Sequence, residues 1–377
     1  MLLLRARHFV ALLNRLGDSA VVYAPLLDNL RLCSLDLRAR EAGVLNIVTV
    51  GEYDQILNNL RHRAAQVAQQ YSSAKTPNLA TRLGQELPEY SRLKDAFRQA
   101  GIVQPTNLAE LQDYLKRAAT SNPARGEDIY YLAFDNNAIR NRLYSTLIAP
   151  LTARPVRYNL RLAKQVLHEL RYRVEKLGGE VLSALDQLFS GFNAPNIFQN
   201  QNALVDRLRL LAQAEWNAML ESGNCETITI RRRRPGVPKD SDGIIIETYA
   251  QFANHPGRKV LLFSSDNDFV RRCDGYSPNL IGILVSYPSQ MEAEYRASWE
   301  HAARLLYQLS VIYGRIDIDS ASGACVRLYG VWRGKGATDW REEHAKITVE
   351  PSHAPLLELL KRDADILNAA AGNPERL

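Results

Sequence analysis

Two carboxylates, Asp266 and Asp268, end the run Lys259-Val260-Leu261-Leu262-Phe263-Ser264-Ser265-Asp266-Asn267-Asp268-Phe269, just after an apolar stretch and a hydroxyl. A core needs no such ending. The same design recurs at Ile129-Tyr130-Tyr131-Leu132-Ala133-Phe134, which runs into Asp135-Asn136-Asn137. Further acids stand at Glu169, within Val166-Leu167-His168-Glu169-Leu170, and at Asp240 and Asp242, within Asp240-Ser241-Asp242-Gly243-Ile244. Like charges gathered at one place raise each other's pKa unless something positive compensates, and oxygen donors of this kind suit hard divalent cations. The chemistry within reach is therefore metal-assisted attack on a phosphodiester, where ions in pairs ~4 Å apart stabilise both attacking and leaving oxygens.

These residues need elements that carry them to one edge. An apolar run bounded by polar residues reads as a buried parallel strand, and ligands of open α/β sheets gather outside the carboxyl ends of such strands. From about residue 126 the pattern alternates: strand 129–134, helical stripes over 160–177, 179–189 and 202–221, a short strand 227–230, a helix from Asp240 to about Ala253, strand 259–265 and strand 279–286. This order predicts a parallel sheet covered on both faces. Residues 8–120 read as mainly helical, with one strand at 44–50, and the linker-like composition of 119–126 marks a boundary. Beyond 290 come a helix (291–309), alternating segments (311–318, 324–332) and a last helix (354–370). The expected domains are thus a mainly helical 1–125, an α/β 126–290 and a small α+β extension 291–377.

Composition sets outer limits. The 377 residues are 46% hydrophobic and carry a net charge of +6, ordinary for a globular chain with a mild preference for polyanions. Cys33, Cys225, Cys273 and Cys325 lie far apart without C-x-x-C spacing, so neither a zinc site nor a disulfide framework is indicated, and a cytoplasmic setting is expected. Charge interrupts the N-terminal apolar residues early, and no stretch approaches the ~18 apolar residues of a membrane span. Basic residues flank the acids: Arg231, Arg232, Arg233, Arg234 and Lys239 before the third acidic motif, Arg271 and Arg272 after the fourth. They are candidates for holding phosphates, although charge runs are commonly just solvated. The loop Arg333-Gly334-Lys335-Gly336 reads as a solvated hairpin tip rather than a phosphate contact. Each acid also has a plain structural role open to it: Asp266 and Asp268 as helix caps, Asp135 in a turn, Glu169 on a solvated helix face. His168 is a poor base for the same site, since neighbours on a helix point about 100° apart.

Taken in order, the four motifs resemble those of PIN-domain nucleases over roughly Glu127 to Tyr287. Asp135-Asn136 is similar to the first motif, with Asn136 where the family commonly has a hydroxyl residue. Glu169 corresponds to the helical acid, and Ser264-Ser265-Asp266-Asn267-Asp268-Phe269 to the last motif. Asp240 and Asp242 both suit the third, the following Gly-Ile favouring Asp242. The resemblance implies a three-layer α/β/α fold and a metal-dependent endoribonuclease, with Asp135, Glu169, Asp242 and Asp266 binding Mg²⁺ or Mn²⁺ and Asp268 completing the site. The long gap between Glu169 and Asp242 implies inserted helices. RNA, single-stranded RNA included, is the implied partner. The alternatives are a catalytically weak PIN-like nucleic-acid-binding module and a flap-type DNA nuclease. The N-terminal region is left for a protein partner or a second copy of the chain.

Overall fold

The computed structural model describes residues 1–71, 78–153, 158–171, 177–198, 203–230 and 240–371. The chain forms two compact units, one from residues 1–102, 175–208 and 291–377, the other from 103–174 and 209–290. Among the described residues thirteen strands follow in order: β1 (Leu2–Arg5), β2 (Ser19–Ala24), β3 (Leu30–Asp36), β4 (Ala42–Leu45), β5 (Ile129–Phe134), β6 (Asn159–Ala163) and β7 (Cys225–Ile228). The remainder are β8 (Arg258–Ser264), β9 (Leu280–Leu284), β10 (Tyr295–Ala297), β11 (Arg315–Ser320), β12 (Cys325–Tyr329) and β13 (His344–Val349).

In the first unit eight strands pair antiparallel in the order β1-β13-β12-β11-β2-β3-β4-β10. This overturns the picture of a helical N-terminal domain and a separate C-terminal extension. The two ends of the chain complete each other's sheet, with Ile318 beside Val22 and Ile347 beside Leu2. The helix Trp299–Ile312, buried continuously from Leu305 to Ile312, packs on β11. The segment 175–208, expected as an insertion in the nuclease-like domain, belongs to this unit instead. Lys335 also departs from expectation. It is 5% exposed rather than at a solvated tip, donating to the carbonyls of Gly330 (2.6 Å) and His344 (2.9 Å) beneath the rings of Trp332, Trp340 and Tyr307. Cation–π attraction and carbonyl acceptors repay part of the cost of burying that charge.

The second unit is a five-stranded parallel sheet in the order β7-β6-β5-β8-β9. Its centre reads IYYLAF and RKVLLFS because a strand covered on both faces has no solvent side to alternate towards. The chain builds outward from β5 in one direction through β6 and β7, then returns beside β5 and builds in the other through β8 and β9. The carboxyl ends of β5 and β8 thus flank a topological switch point, where open α/β sheets hold ligands. Register carries the symmetry to the last residue, with Phe134 paired to Phe263.

Two expectations change here. Residues 160–163 form β6, and only Lys164–Arg171 are helical, because Leu160, Leu162 and Ala163 are buried between β5 and β7. The boundary expected at 119–126 is instead a connection within the unit: Leu111 and Leu115 of the preceding helix lie in the same core as β5, and Asn107 hydrogen-bonds Leu284 and Ser286 at β9. Among the described residues, no helix is long and apolar enough to cross a membrane.

Candidate functional site

Asp135 follows β5 and is 4% exposed at the switch point. Its Oδ2 accepts from the Ser264 hydroxyl at 2.8 Å, within reach because the Phe134–Phe263 register brings the two strand ends side by side. Burial pushes the Asp135 carboxyl up to about 6; Ser264 and the backbone amides of Asn136 and Asn137 oppose the rise, and the charge of Glu169 adds to it. Ser264 also accepts from the Asp266 amide at 3.0 Å, so one hydroxyl ties the two acidic strand ends together.

Glu169 comes from the helix Lys164–Arg171 and is oriented from two sides. Asn136 Nδ2 donates to its Oε2 at 2.9 Å, and Ser241 Oγ donates to its Oε1. Gln165 in turn donates to Ser241 at 2.9 Å. Asn136 therefore has a task of its own as the amide that holds Glu169 toward Asp135.

The helix Ser241–Ala253 opens at the same edge because Asp240 caps it, accepting from the Gly243 amide at 2.7 Å. Its apolar face, Ile245, Ile246, Tyr249, Ala250 and Ala253, is buried. The Tyr249 hydroxyl donates to Phe134 O (3.2 Å) and accepts from the Ala163 amide (2.9 Å), bridging the ends of β5 and β6. Asp242, in the first turn, is half-exposed and its pKa is raised, chiefly by desolvation; Arg272 opposes this, while Asp240 and Asp266 add to it.

Asp266 caps the helix Asn267–Cys273, its Oδ1 accepting from the amides of Asp268 (2.9 Å) and Phe269 (3.2 Å). That helix lies close against β9 at Gly282, where a Cβ would come 2.8 Å from Val270 O. Arg272, in its last turn, reaches Asp242 at 3.2 Å and Asp240 at 3.0 Å.

The structure thus gathers Asp135, Glu169, Asp240, Asp242 and Asp266 at one edge through a chain of contacts, and leaves Asp268 exposed in a first helical turn, tied to Asp266 through its backbone amide while its carboxylate has no bond to the other acids among the described residues. His168 is exposed. Arg271 is exposed, whereas Arg272 is spent on Asp240 and Asp242. Arg231, Arg232, Arg233, Arg234 and Lys239 lie outside the described residues. Sequence reasoning missed Ser241 and Tyr249; the only local sign of Tyr249 was its place on the apolar stripe of its helix.

By donor type the edge fits a hard divalent cation: carboxylates, hydroxyls and an amide, with no thiolate or imidazole among them. By position it is incomplete. Among the described residues no group of three or more His, Cys, Asp or Glu is arranged to hold a metal ion. The reason is visible in the bonds: Asp240 and Asp242 face Arg272, Asp266 faces its own helix, and Glu169 faces Asn136 and Ser241. No protein-family model matches the chain, and no curated protein is detectably similar to it.

Proposed function

We propose that the switch-point edge is the centre of a PIN-like, metal-dependent nuclease acting on RNA. One observation carries the reading: Asp135 and Asp266 leave adjacent strands on the two sides of the switch point, tied by Ser264, with Glu169 brought beside Asp135 and Asp242 beside Asp266. A buried, destabilised carboxylate next to another acid has no packing purpose. The parallel sheet β7-β6-β5-β8-β9 is compatible with a three-layer α/β/α domain.

In this reading Asp135, Glu169, Asp242 and Asp266 hold Mg²⁺ or Mn²⁺, which when bound neutralises phosphate charge and lowers the pKa of a water. Ser264 fixes Asp135, while Asn136 and Ser241 aim Glu169. Asp242 is shared with Arg272, which must yield it. Arg271, together with Arg231, Arg232, Arg233, Arg234 and Lys239, supplies phosphate contacts along the RNA.

The ion pairs of Arg272 favour a second reading, in which the edge compensates its own charge and the domain binds nucleic acid without cutting it. End-labelled single-stranded RNA incubated with Mn²⁺ separates the two. The nuclease reading expects cleavage by the wild type and its loss in Asp135→Asn/Asp266→Asn, with RNA binding retained. Cleavage unchanged in the double variant would refute it, and RNA binding without cleavage in the wild type selects the second reading. A flapped DNA duplex digested in parallel reports the nucleic acid preferred.

A further inference from the structure

A second site lies beside the helix Ser241–Ala253, away from the acidic edge. A cavity of about 370 Å³ is lined by Thr229, Thr248, Gln251, Phe252, His255 and Arg258. Its size falls within the range of small-ligand pockets, which run to roughly 300–1,000 Å³. We propose that it binds a phosphorylated nucleoside, either free or as the end of a nucleic-acid strand.

The polar groups around it divide into two sets. Thr248 donates to Ile244 O and Gln251 to Glu247, so both are engaged within their own helix. The Thr229 hydroxyl, the His255 imidazole and the Arg258 guanidinium have neither hydrogen bond nor ion pair among the described residues. A guanidinium, an imidazole and a hydroxyl that line one cavity without partners among the described residues are a donor set for an oxyanion.

The apolar part of the lining specifies more than phosphate. Arg258 lies over the Phe252 ring with its Cζ 4.6 Å from the centroid, and Arg161 approaches the same ring at 5.3 Å and the Tyr131 ring at 4.7 Å. Tyr131 meets Phe252 edge-on at 4.8 Å. Two guanidinium groups and a second ring thus gather around Phe252. Arg161 has its charge answered by Glu226 at 3.1 Å, whereas Arg258 has no ion-pair partner among the described residues. A guanidinium laid on a ring keeps its in-plane N–H forks for a phosphate and offers its other face to a planar heterocycle, the means by which proteins stack bases on arginine. Phosphate alone would leave that face unused, and a nucleoside alone would leave the donors unpaired.

Calorimetric titration of the full chain with AMP, adenosine, inorganic phosphate and a 5′-phosphorylated tetraribonucleotide tests the assignment. The expected result is saturable binding of AMP or of the tetranucleotide, with adenosine and inorganic phosphate at least about tenfold weaker. Arg258→Gln should weaken that binding at least about tenfold, since it removes charge-assisted bonds. If Arg258→Gln fails to fold, His255→Ala, on an exposed residue, provides the same readout with an expected loss of about threefold. Tighter binding of the tetranucleotide than of AMP identifies a strand end as the ligand; equal or weaker binding identifies the free nucleotide. Absence of saturable binding of both, or wild-type affinity in the variants, would overturn the proposal. Nucleotide binding here and cleavage at the acidic edge are read in separate assays on separate residues, so failure of one leaves the other standing.

Discussion

Replacing Asp135 by asparagine should make the parallel-sheet unit more stable at neutral pH. A carboxyl placed in a core for structural reasons would do the opposite. Burial raises the Asp135 pKa from 3.8 to about 6, with Ser264 and two backbone amides only partly offsetting it. Below pH 3.8 the group is neutral in both states and costs little. Between 3.8 and about 6 the unfolded chain releases its proton while the folded chain keeps it, so folding loses ground as pH rises. Above that window the full difference is present, about 3 kcal/mol at about 1.36 kcal/mol per tenfold change. Asparagine is nearly isosteric, keeps an oxygen to accept from Ser264, and carries no charge. Urea unfolding of wild type and Asp135→Asn at pH 7 and pH 4 should show a gain of about 2–3 kcal/mol at pH 7, shrinking below about 1 kcal/mol at pH 4. A variant less stable than the wild type at pH 7 would refute the reasoning, for it would mean that the carboxylate is held by something favourable at this edge.

Arg272→Gln should release Asp240 and Asp242 and raise Mn²⁺ affinity about tenfold in calorimetric titration, because a cation no longer competes with a guanidinium 3.0–3.2 Å away; unchanged affinity would count for the self-compensated edge. Gly282→Ala should destabilise the same unit by about 1–3 kcal/mol in denaturant unfolding, since its Cβ would meet the Val270 carbonyl at 2.8 Å and displace the helix that carries Asp266 and Arg272; an unmoved midpoint would show that this packing is looser than described.

The acidic strand ends were legible because the signal is local: an apolar run followed at once by a carboxylate needs no partner to be seen, and the sheet then aligns Phe134 with Phe263. The helical reading of residues 160–163 fails because Leu160, Ala163, Leu167 and Leu170 suit a helical stripe as well as a strand running into a helix. Pairing with β5 and β7 decides between them, and no single segment records it. β2 and β3 alternate buried and partly exposed residues as strands should, yet β2 pairs with β11, nearly three hundred positions later in the chain. Arg272 was read as a phosphate ligand from its charge and nearness to the fourth motif; that it meets Asp240 and Asp242 depends on how two helices end up side by side. Lys335 belongs to the same class, its aromatic surroundings being assembled from Tyr307, Trp332 and Trp340.

The eight-stranded sheet also imposes a timetable. Leu2 pairs with Ile347, so β1 has no neighbour on the growing chain until almost everything else has been made. At about 5–20 residues per second of synthesis, that wait is roughly 15–70 s. β2 likewise lacks β11 on one side while all of the parallel-sheet unit emerges. The unit carrying the acidic edge can be finished on the ribosome while the other is still half a sheet with open edges, exposed to pairing with other chains. A chain cut before β13 would keep every residue of the acidic edge and lose the strand that closes the first one made.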